Sequence, residues 1–593
     1  MPNYQRSTNN KQLTILIIMV GWFALVNRVS AQSTKRLTYC NPVDINYQYQ
    51  YLHKDKGISY RSGADPVIVN YKGDYYLFAT NSNGWWNSKD LVNWNYVVPT
   101  LWPKEHVNAP AVRVVDDTLF MIQSGRAPLF YSTDPASGKL HYYNRMMPKI
   151  PGKAPQVDPD IFYDSTSGKW FMYYGSSNYY PLYAIPLNYT KKLAYEGDPI
   201  PLLRLHPKEH GWERFGYDHR DTTITPFIEG AWMTKHDGKY YLQYAAPGTE
   251  FNVYGNGTYI GNSPTGPFTY APNNPVSYKP GGFVTGTGHG NTFRDDYGNY
   301  WNTGTCWIGV NWNFERRIVM FSSKFDKDGE YHADTRFGDF PHYVPDHKWN
   351  NSVSLFTGWM LLSYEKLVTA SSTADTFRVA NVTDENPRTF WVAKTNHEGE
   401  GLTVDLQHAD SVKAVQVNYS DYKSNIYHST DSVYTQFRLY ASTDDQHWTK
   451  IADLTDQKKD RPNAYIPLDR PVKARYIKFE NVYVAAPHLA ISDIRIFGNS
   501  DEPNPGTPGD FTVKRENDQR NAKVRWNNVP GAVGYNILWG IKKDKLYETY
   551  QIFADQGNSK EIRSLDTGQA YWFAIEAFNE HGVSKRSKAI HVE

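Results

Sequence analysis

Residues 64–79 read ADPVIVNYKGDYYLFA: an Ala64-Asp65-Pro66 opening, the apolar run Val67-Ile68-Val69, a Lys72-Gly73-Asp74 turn, and the aromatic run Tyr75-Tyr76-Leu77-Phe78-Ala79. Glycine in a short turn between two apolar runs is a hairpin signal. The same order returns four times. Ala109-Pro110-Ala111-Val112 leads over Asp116-Asp117 to Leu119-Phe120-Met121-Ile122. Val157-Asp158-Pro159 leads over Ser167-Gly168-Lys169 to Trp170-Phe171-Met172-Tyr173-Tyr174. Ile228-Glu229-Gly230 leads over His236-Asp237-Gly238 to Tyr240-Tyr241-Leu242-Gln243-Tyr244, and Gly288-His289-Gly290 leads over Asp296-Tyr297-Gly298 to Tyr300-Trp301. Five units in file predict an all-β chain beginning with a five-bladed β-propeller at residues 33–355. A hairpin-built β-sandwich is the alternative, although sandwich strands seldom recur with one motif.

Outward from this region the texture changes. Residues 361–498 carry short strands such as Leu402-Thr403-Val404-Asp405-Leu406 and Ala474-Arg475-Tyr476-Ile477-Lys478-Phe479. Residues 499–508 are polar and rich in Pro and Gly, which predicts an inter-domain linker. Residues 509–593 alternate as a β-sandwich does, for example Ala570-Tyr571-Trp572-Phe573-Ala574-Ile575.

The chain has 593 residues with 63 Lys+Arg against 61 Asp+Glu, so no net basic charge calls for a nucleic-acid partner. Charged residues make up 21%, enough apolar content remaining to exclude general disorder, and the 15% aromatic share favours β packing and sugar-stacking surfaces. Residues 1–31 show the three parts of a secretory signal peptide: Arg6 and Lys11, an apolar run from Leu13 to Val26, then Val29-Ser30-Ala31 before Gln32. The run is short for the ~20 residues of a membrane span, so the expected location is secreted or periplasmic, with no integral membrane association. Cys40 and Cys306 make no disulfide framework; they form either one bridge or two buried free thiols.

Asp65, Asp158, Glu229 and His289 hold comparable places at the heads of four units. In a propeller such places converge on one axis. Three carboxyls and an imidazole would meet there, and like charges at close quarters push pKa values apart. Two carboxyls in different protonation states are what glycoside hydrolysis requires. Alone, Asp65 or Asp158 before proline would read as a turn residue. Glu229 in the apolar stretch Phe227-Ile228-Glu229-Gly230-Ala231-Trp232 is costly to bury unless paired or functional.

Residues 33–355 resemble glycoside hydrolase family 43. The resemblance rests on Asn41-Pro42-Val43, Ala64-Asp65-Pro66, Ser88-Lys89-Asp90-Leu91-Val92-Asn93-Trp94, Val157-Asp158-Pro159, Glu229-Gly230 and Gly286-Thr287-Gly288-His289-Gly290. It implies an inverting hydrolase with Asp65 as general base, Glu229 as general acid and Asp158 as the residue that sets the acid's pKa and orientation. His289 matches an axial histidine that in many members contacts a water or a metal such as calcium; no cofactor is required. Asp160 departs from the small polar residue usual two places after Asp158. Trp85, Trp86, Trp232, Phe283, Arg316 and Arg317 are the candidate sugar contacts, with core packing the competing role of the aromatics. Residues 361–498 resemble a discoidin-like (factor 5/8 type C) domain and residues 509–593 a fibronectin type III domain. The expected activity is an exo-glycosidase, α-L-arabinofuranosidase first, with β-xylosidase, exo-β-1,3-galactosidase and endo-arabinanase behind it. A monomeric glycan-binding propeller without catalysis is the non-enzyme reading.

Overall fold

The computed structural model describes residues 36–593 apart from 54–56, 102–107, 126–127, 153, 351–353, 375 and 428–430. Residues 1–31, expected above to be a signal peptide, lie outside the described residues. Five antiparallel sheets follow one another. Blade 1 has strands Ala64–Tyr71, Asp74–Thr80, Trp85–Ser88 and Asn95–Val97; blade 2 has Ala111–Val115, Thr118–Ile122, Leu129–Ser132 and His141–Asn144. Blade 3 has Asp160–Asp164, Lys169–Tyr174 and Leu182–Asn188, against which Ala194–Tyr195 and Ile200–Leu203 both pair. Blade 4 has Glu229–His236, Lys239–Ala246, Gly255–Gly261 and Phe268–Tyr270; blade 5 has Thr292–Arg294, Tyr300–Trp307, Arg316–Phe325 and Tyr331–Ala333. The predicted hairpins are those between the first two strands of each blade. In the first, Lys72 and Gly73 take φ of 56° and 84°, the pair of positive values that a two-residue turn matched to strand twist needs.

First strands of neighbouring blades touch in turn around the ring, and blade 5 closes on blade 1. The Asn291 side chain accepts the Ile68 amide at 3.0 Å and donates to the Ile68 carbonyl at 2.9 Å. Apolar clusters fill the wedges between blades: Val67, Phe78, Trp85, Val112, Met121 and Trp232 in one, Ala111, Ile122, Ile161, Trp170 and Met172 in the next. Blades are thus held by their two faces, while their first strands keep polar ends at the axis.

After the last blade, His342–Tyr343 pairs with Thr38–Tyr39, and Met360–Leu361 opens an eight-stranded jelly roll built round the long strands Gly401–Tyr419 and Asn463–Val484. A seven-stranded sandwich of three plus four strands occupies 512–592, where the fibronectin type III resemblance falls. Residues 38–593 form one compact unit.

Residues 499–508 are docked along the sandwich instead of running free: the Ser500 amide donates to the Glu580 carbonyl at 3.0 Å and the Asn579 side chain to the Pro503 carbonyl at 2.9 Å. Composition reports backbone conformation here, not detachment. Cys40 and Cys306 are both free and buried, so the bridge is not made. Cys40 lies among Phe337, Phe340 and Phe497, whereas Cys306 packs with Phe283, Val319 and Phe321 in a separate cluster.

The accessory domains are sealed to the propeller. Arg61 of the propeller is buried between Asp421 and Asp460 of the jelly roll, at 2.7 and 2.9 Å, and Arg317 reaches Asp421 at 3.4 Å. On the other side Lys545 of the sandwich sits against Asp326, Asp328 and Glu330 at 2.6–2.7 Å. Val253 and Tyr278 of the propeller complete the sandwich core beside Trp526, Ile537 and Phe573.

Candidate active site

Four of the five blades open with a residue of positive φ at the same place. Blade 1 has one residue in excess of its partner strand between Ala64 and Val67, and blade 4 has one between Glu229 and Trp232. This is a β-bulge, a device that re-aims a side chain at a strand end. The residue at this place takes a left-handed conformation in four blades, bulged or not: φ is 51° at Asp65, 42° at Ala109, 49° at Asp158 and 65° at Gly230. Proline follows the first three, which disfavours the right-handed helical region for the residue before it. Asp tolerates left-handed φ better than most non-glycine residues. In blade 4 the bulged place is glycine and the carboxyl sits one residue earlier, on Glu229. Gly230 is needed there, since a Cβ would come within 2.8 Å of the His289 ring.

The four residues predicted to converge do so. His289 Nδ1 stands 3.5 Å from Asp65 Oδ1 and 3.8 Å from Asp158 Oδ2. Asp65 and Asp158 are buried and Glu229 is half-buried. Arg316 Nη1 donates to Asp65 Oδ1 at 3.0 Å, and Thr80 Oγ1 to Asp65 Oδ2 at 2.6 Å. The Thr80 oxygen itself accepts the Ala109 amide at 2.7 Å, which fixes its proton toward Asp65. Glu229 accepts hydroxyls on both oxygens, from Tyr254 at 2.5 Å and from Ser176 at 2.8 Å.

The electrostatics divide the cluster. Burial alone would raise the Asp65 carboxyl, but the Arg316 guanidinium, His289 and the Thr80 hydroxyl together hold it below the ordinary aspartate value. Asp158 is raised well above that value, first by burial, then by the charges of Glu229 and Asp65. Tyr254 is also raised well above the ordinary tyrosine value by burial and by Glu229, so it stays a neutral donor. Glu250 is raised by burial and by the Glu229 charge.

Among the described residues no group of three or more His, Cys, Asp or Glu side chains is disposed to hold a metal. Calcium takes six to eight oxygens. Here the Asp65 oxygens are occupied by Thr80 and Arg316, and a cation at His289 would face the Arg316 guanidinium. The residues do not fit a calcium ion, and no step below runs through one.

Of the other candidates, only Arg316 joins the site. Trp85 and Trp232 are buried between blades 1 and 2, Trp86 is buried beside the N-terminal segment, and Phe283 lies under Arg495 at 4.4 Å. Adjacent aromatics on a strand point to opposite faces, and in a propeller both faces are covered. Arg317, one residue past Arg316, points the opposite way into the jelly-roll interface. Asp160 is also turned away from the axis: it pairs with Arg113 at 2.8 Å and accepts the Met233 amide, tying blades 2, 3 and 4. Thr80, Ser176 and Tyr254 escaped sequence reasoning because they belong to second-strand ends and loops that share no motif. The exposed aromatics Tyr179, Tyr180, Phe227 and Phe314 lie within four residues of Ser176, Glu229 or Arg316.

Residues 56–330 match the family model of glycosyl hydrolases family 43, and residues 368–492 that of the F5/8 type C domain. Among curated proteins, the β-D-galactofuranosidase xynD of Aspergillus niger is 33% identical over 84 residues, 14% of this chain and 24% of that protein. The chain thus spans about a quarter of that relative's length. Among solved structures, an exo-1,5-α-L-arabinanase from a bovine ruminal metagenomic library is 18% identical, covering 46% of this chain and 97% of that one with a TM-score of 0.37. The Bacteroides ovatus xyloglucan PUL GH43B is 14% identical, covering 94% and 98%, with a TM-score of 0.38.

Proposed function

This chain carries a domain of glycosyl hydrolases family 43, an inverting family of glycoside hydrolases, followed by an F5/8 type C domain, and from that premise we propose that it is a secreted or periplasmic exo-α-L-arabinofuranosidase acting on side chains of plant-type polysaccharides. The carrying observation is the split between Asp65, held ionised, and Asp158, pushed toward its protonated form beside Glu229.

In this reading ionised Asp65 takes the proton of a water that attacks the anomeric carbon from one face. Arg316 and Thr80 keep Asp65 ionised and aim it. Glu229 gives its proton to the departing glycosidic oxygen on the opposite face, so one displacement inverts the anomer. Tyr254 and Ser176 hold the Glu229 carboxyl in place. Asp158, raised by burial and by the charges of Glu229 and Asp65, stands beside the acid and orients it. His289 packs between Asp65 and Asp158 and keeps them apart. The enzyme works as a monomer, and the jelly roll adds carbohydrate binding.

A panel of 4-nitrophenyl α-L-arabinofuranoside, β-D-xyloside, β-D-galactoside and β-D-galactofuranoside tests the reading. The last is included because of the stretch shared with a β-D-galactofuranosidase. Arabinofuranoside hydrolysis abolished by Glu229→Gln is the expected result. Turnover of a different glycoside would replace the sugar, and turnover of none would leave a glycan-binding propeller.

A further inference from the structure

Arg388 belongs to the jelly roll, yet its guanidinium lies 4.6 Å from the centroid of Trp307 on blade 5. Trp307 is directly opposite Arg316 in the register of its sheet. Opposed residues of an antiparallel pair share a face, so Trp307 stands on the same face as the residue that holds Asp65. Its indole is fixed, Nε1 donating to the Asn313 carbonyl at 2.8 Å. Tyr217 sets its edge against Trp307 at 5.6 Å and against Phe251 at 5.4 Å, and remains 49% exposed. A jelly-roll arginine therefore stacks on an aromatic wall that begins one residue from the catalytic cluster and ends in solvent.

Its hydrogen bonding separates Arg388 from the other arginines of this interface. Arg61 is matched by Asp421 and Asp460, and Arg495 by Glu385 at 2.8 and 3.0 Å. Arg388 is half-buried, and its Nη1 is buried with no hydrogen-bond partner among the described residues. A guanidinium placed only to join domains would have its donors met, because an unmet buried donor costs about 1–3 kcal/mol. The loop that carries it is already ordered: Asn386 Oδ1 accepts the Arg388 amide at 3.3 Å, Asp384 Oδ1 accepts the Asn386 amide at 3.0 Å, and Thr389 donates to Asp384 at 2.7 Å. A guanidinium stacked on an indole presents its N–H edge in the ring plane. Beside it the open Tyr217 ring offers a face for sugar C–H groups. Fixed donors next to an exposed aromatic ring suit a neutral, hydroxyl-rich ligand.

We propose that Arg388, together with Tyr217, forms a sugar-binding subsite at the mouth of the catalytic pocket, holding the unit on the leaving-group side of the bond being cleaved. The second domain then supplies part of the substrate cleft in addition to any glycan binding of its own. The inference rests on the hydrolase reading above.

The test uses the full chain with 4-nitrophenyl α-L-arabinofuranoside, which has no sugar on the leaving side, and α-1,5-linked arabinotriose, which has. Arg388→Met keeps the stem against Trp307 and removes the donors; Arg388→Lys keeps the charge and removes the planar fork. The expected result for Arg388→Met is a fall of about 10–100-fold in kcat/KM on the triose, mainly through KM, against less than about 3-fold on the aryl glycoside. Arg388→Lys should recover only part of the loss. Equal losses on both substrates, or none on either, overturn the proposal and make Arg388 an interface residue. A wild-type chain that cleaves the aryl glycoside but discriminates as Arg388→Met does also overturns it, while the hydrolase reading stands. A wild-type chain that cleaves no glycoside overturns that reading and this one with it.

Discussion

Asp65 at the head of blade 1 and Asp158 at the head of blade 3 share a backbone conformation and a following proline, yet their carboxyls are shifted in opposite directions. Asp65 has a guanidinium and a hydroxyl pointed at it. Asp158 has two carboxylates for neighbours, and its carboxyl is met by a backbone amide, that of Gly230, while its own amide donates to the Ser124 hydroxyl at 2.9 Å. Blade 2 supplies the control: Ala109 adopts the same conformation with no carboxyl at all. The left-handed place thus recurs in four of the five blades, and its chemistry is set by the groups that reach it from its own blade and from others.

The largest effect should come from removing the base. Asp65→Ala is expected to lower kcat by about 10²–10⁴-fold on both natural and activated substrates, because water still needs its base. Glu229→Ala should lose far less on a dinitrophenyl glycoside, whose leaving group needs little protonation, than on a disaccharide. Equal losses on the two substrates for both variants would undo the assignment of roles.

A smaller effect tests what holds Asp65 ionised. Arg316→Gln removes the nearest positive charge, so the Asp65 pKa should rise. The acidic limb of kcat/KM should move to higher pH while the basic limb stays. An unmoved acidic limb would mean that Arg316 serves the sugar instead of the base.

The smallest effect sets the two aspartates against each other in stability. The lowered Asp65 stabilises the fold above its unfolded pKa of about 3.9, and that contribution is lost as pH falls through its folded value. The raised Asp158 behaves oppositely: its contribution is full below about pH 3.9 and is lost as pH rises toward its folded value. At pH 7 Asp65→Asn should therefore lower Tm and Asp158→Asn should raise it, by about 1–3 °C each, with the Asp158→Asn difference vanishing in acid. Thermal scans at pH 4 and 7 showing the same sign for both variants would contradict the electrostatic split.

The sequence carried the skeleton of this comparison and little of its surroundings. Asp65, Asp158, Glu229 and His289 were readable because each stands at a fixed place in a motif that recurs with every blade. Their modifiers were not. Thr80 acts on its own blade across a bulge whose register no motif announces, and Tyr254 reaches Glu229 from a loop. The aromatic candidates failed for a related reason: Trp85, Trp86 and Trp232 lie on strands whose two faces are both covered, so alternation could not single out an exposed side. Residues 499–508 have the composition of a tether, but composition does not register the hydrogen bonds to Asn579 and Glu580 that pin them.

The buried charges joining propeller and jelly roll bear on how such a chain can be inherited. Arg61 and Arg317 find their jelly-roll carboxylates on residues more than a hundred positions away, and Arg317 adjoins the arginine that holds Asp65. A recombination event that borrowed the propeller alone would take away the carboxylates of both arginines and bare the surface they line, next to Arg316 and Asp65. Gene shuffling at the Pro/Gly boundary would also tear the terminal sandwich from Asp326, Asp328 and Glu330. The propeller and its companions therefore share one set of buried ion pairs, and separating them changes both sides of each interface.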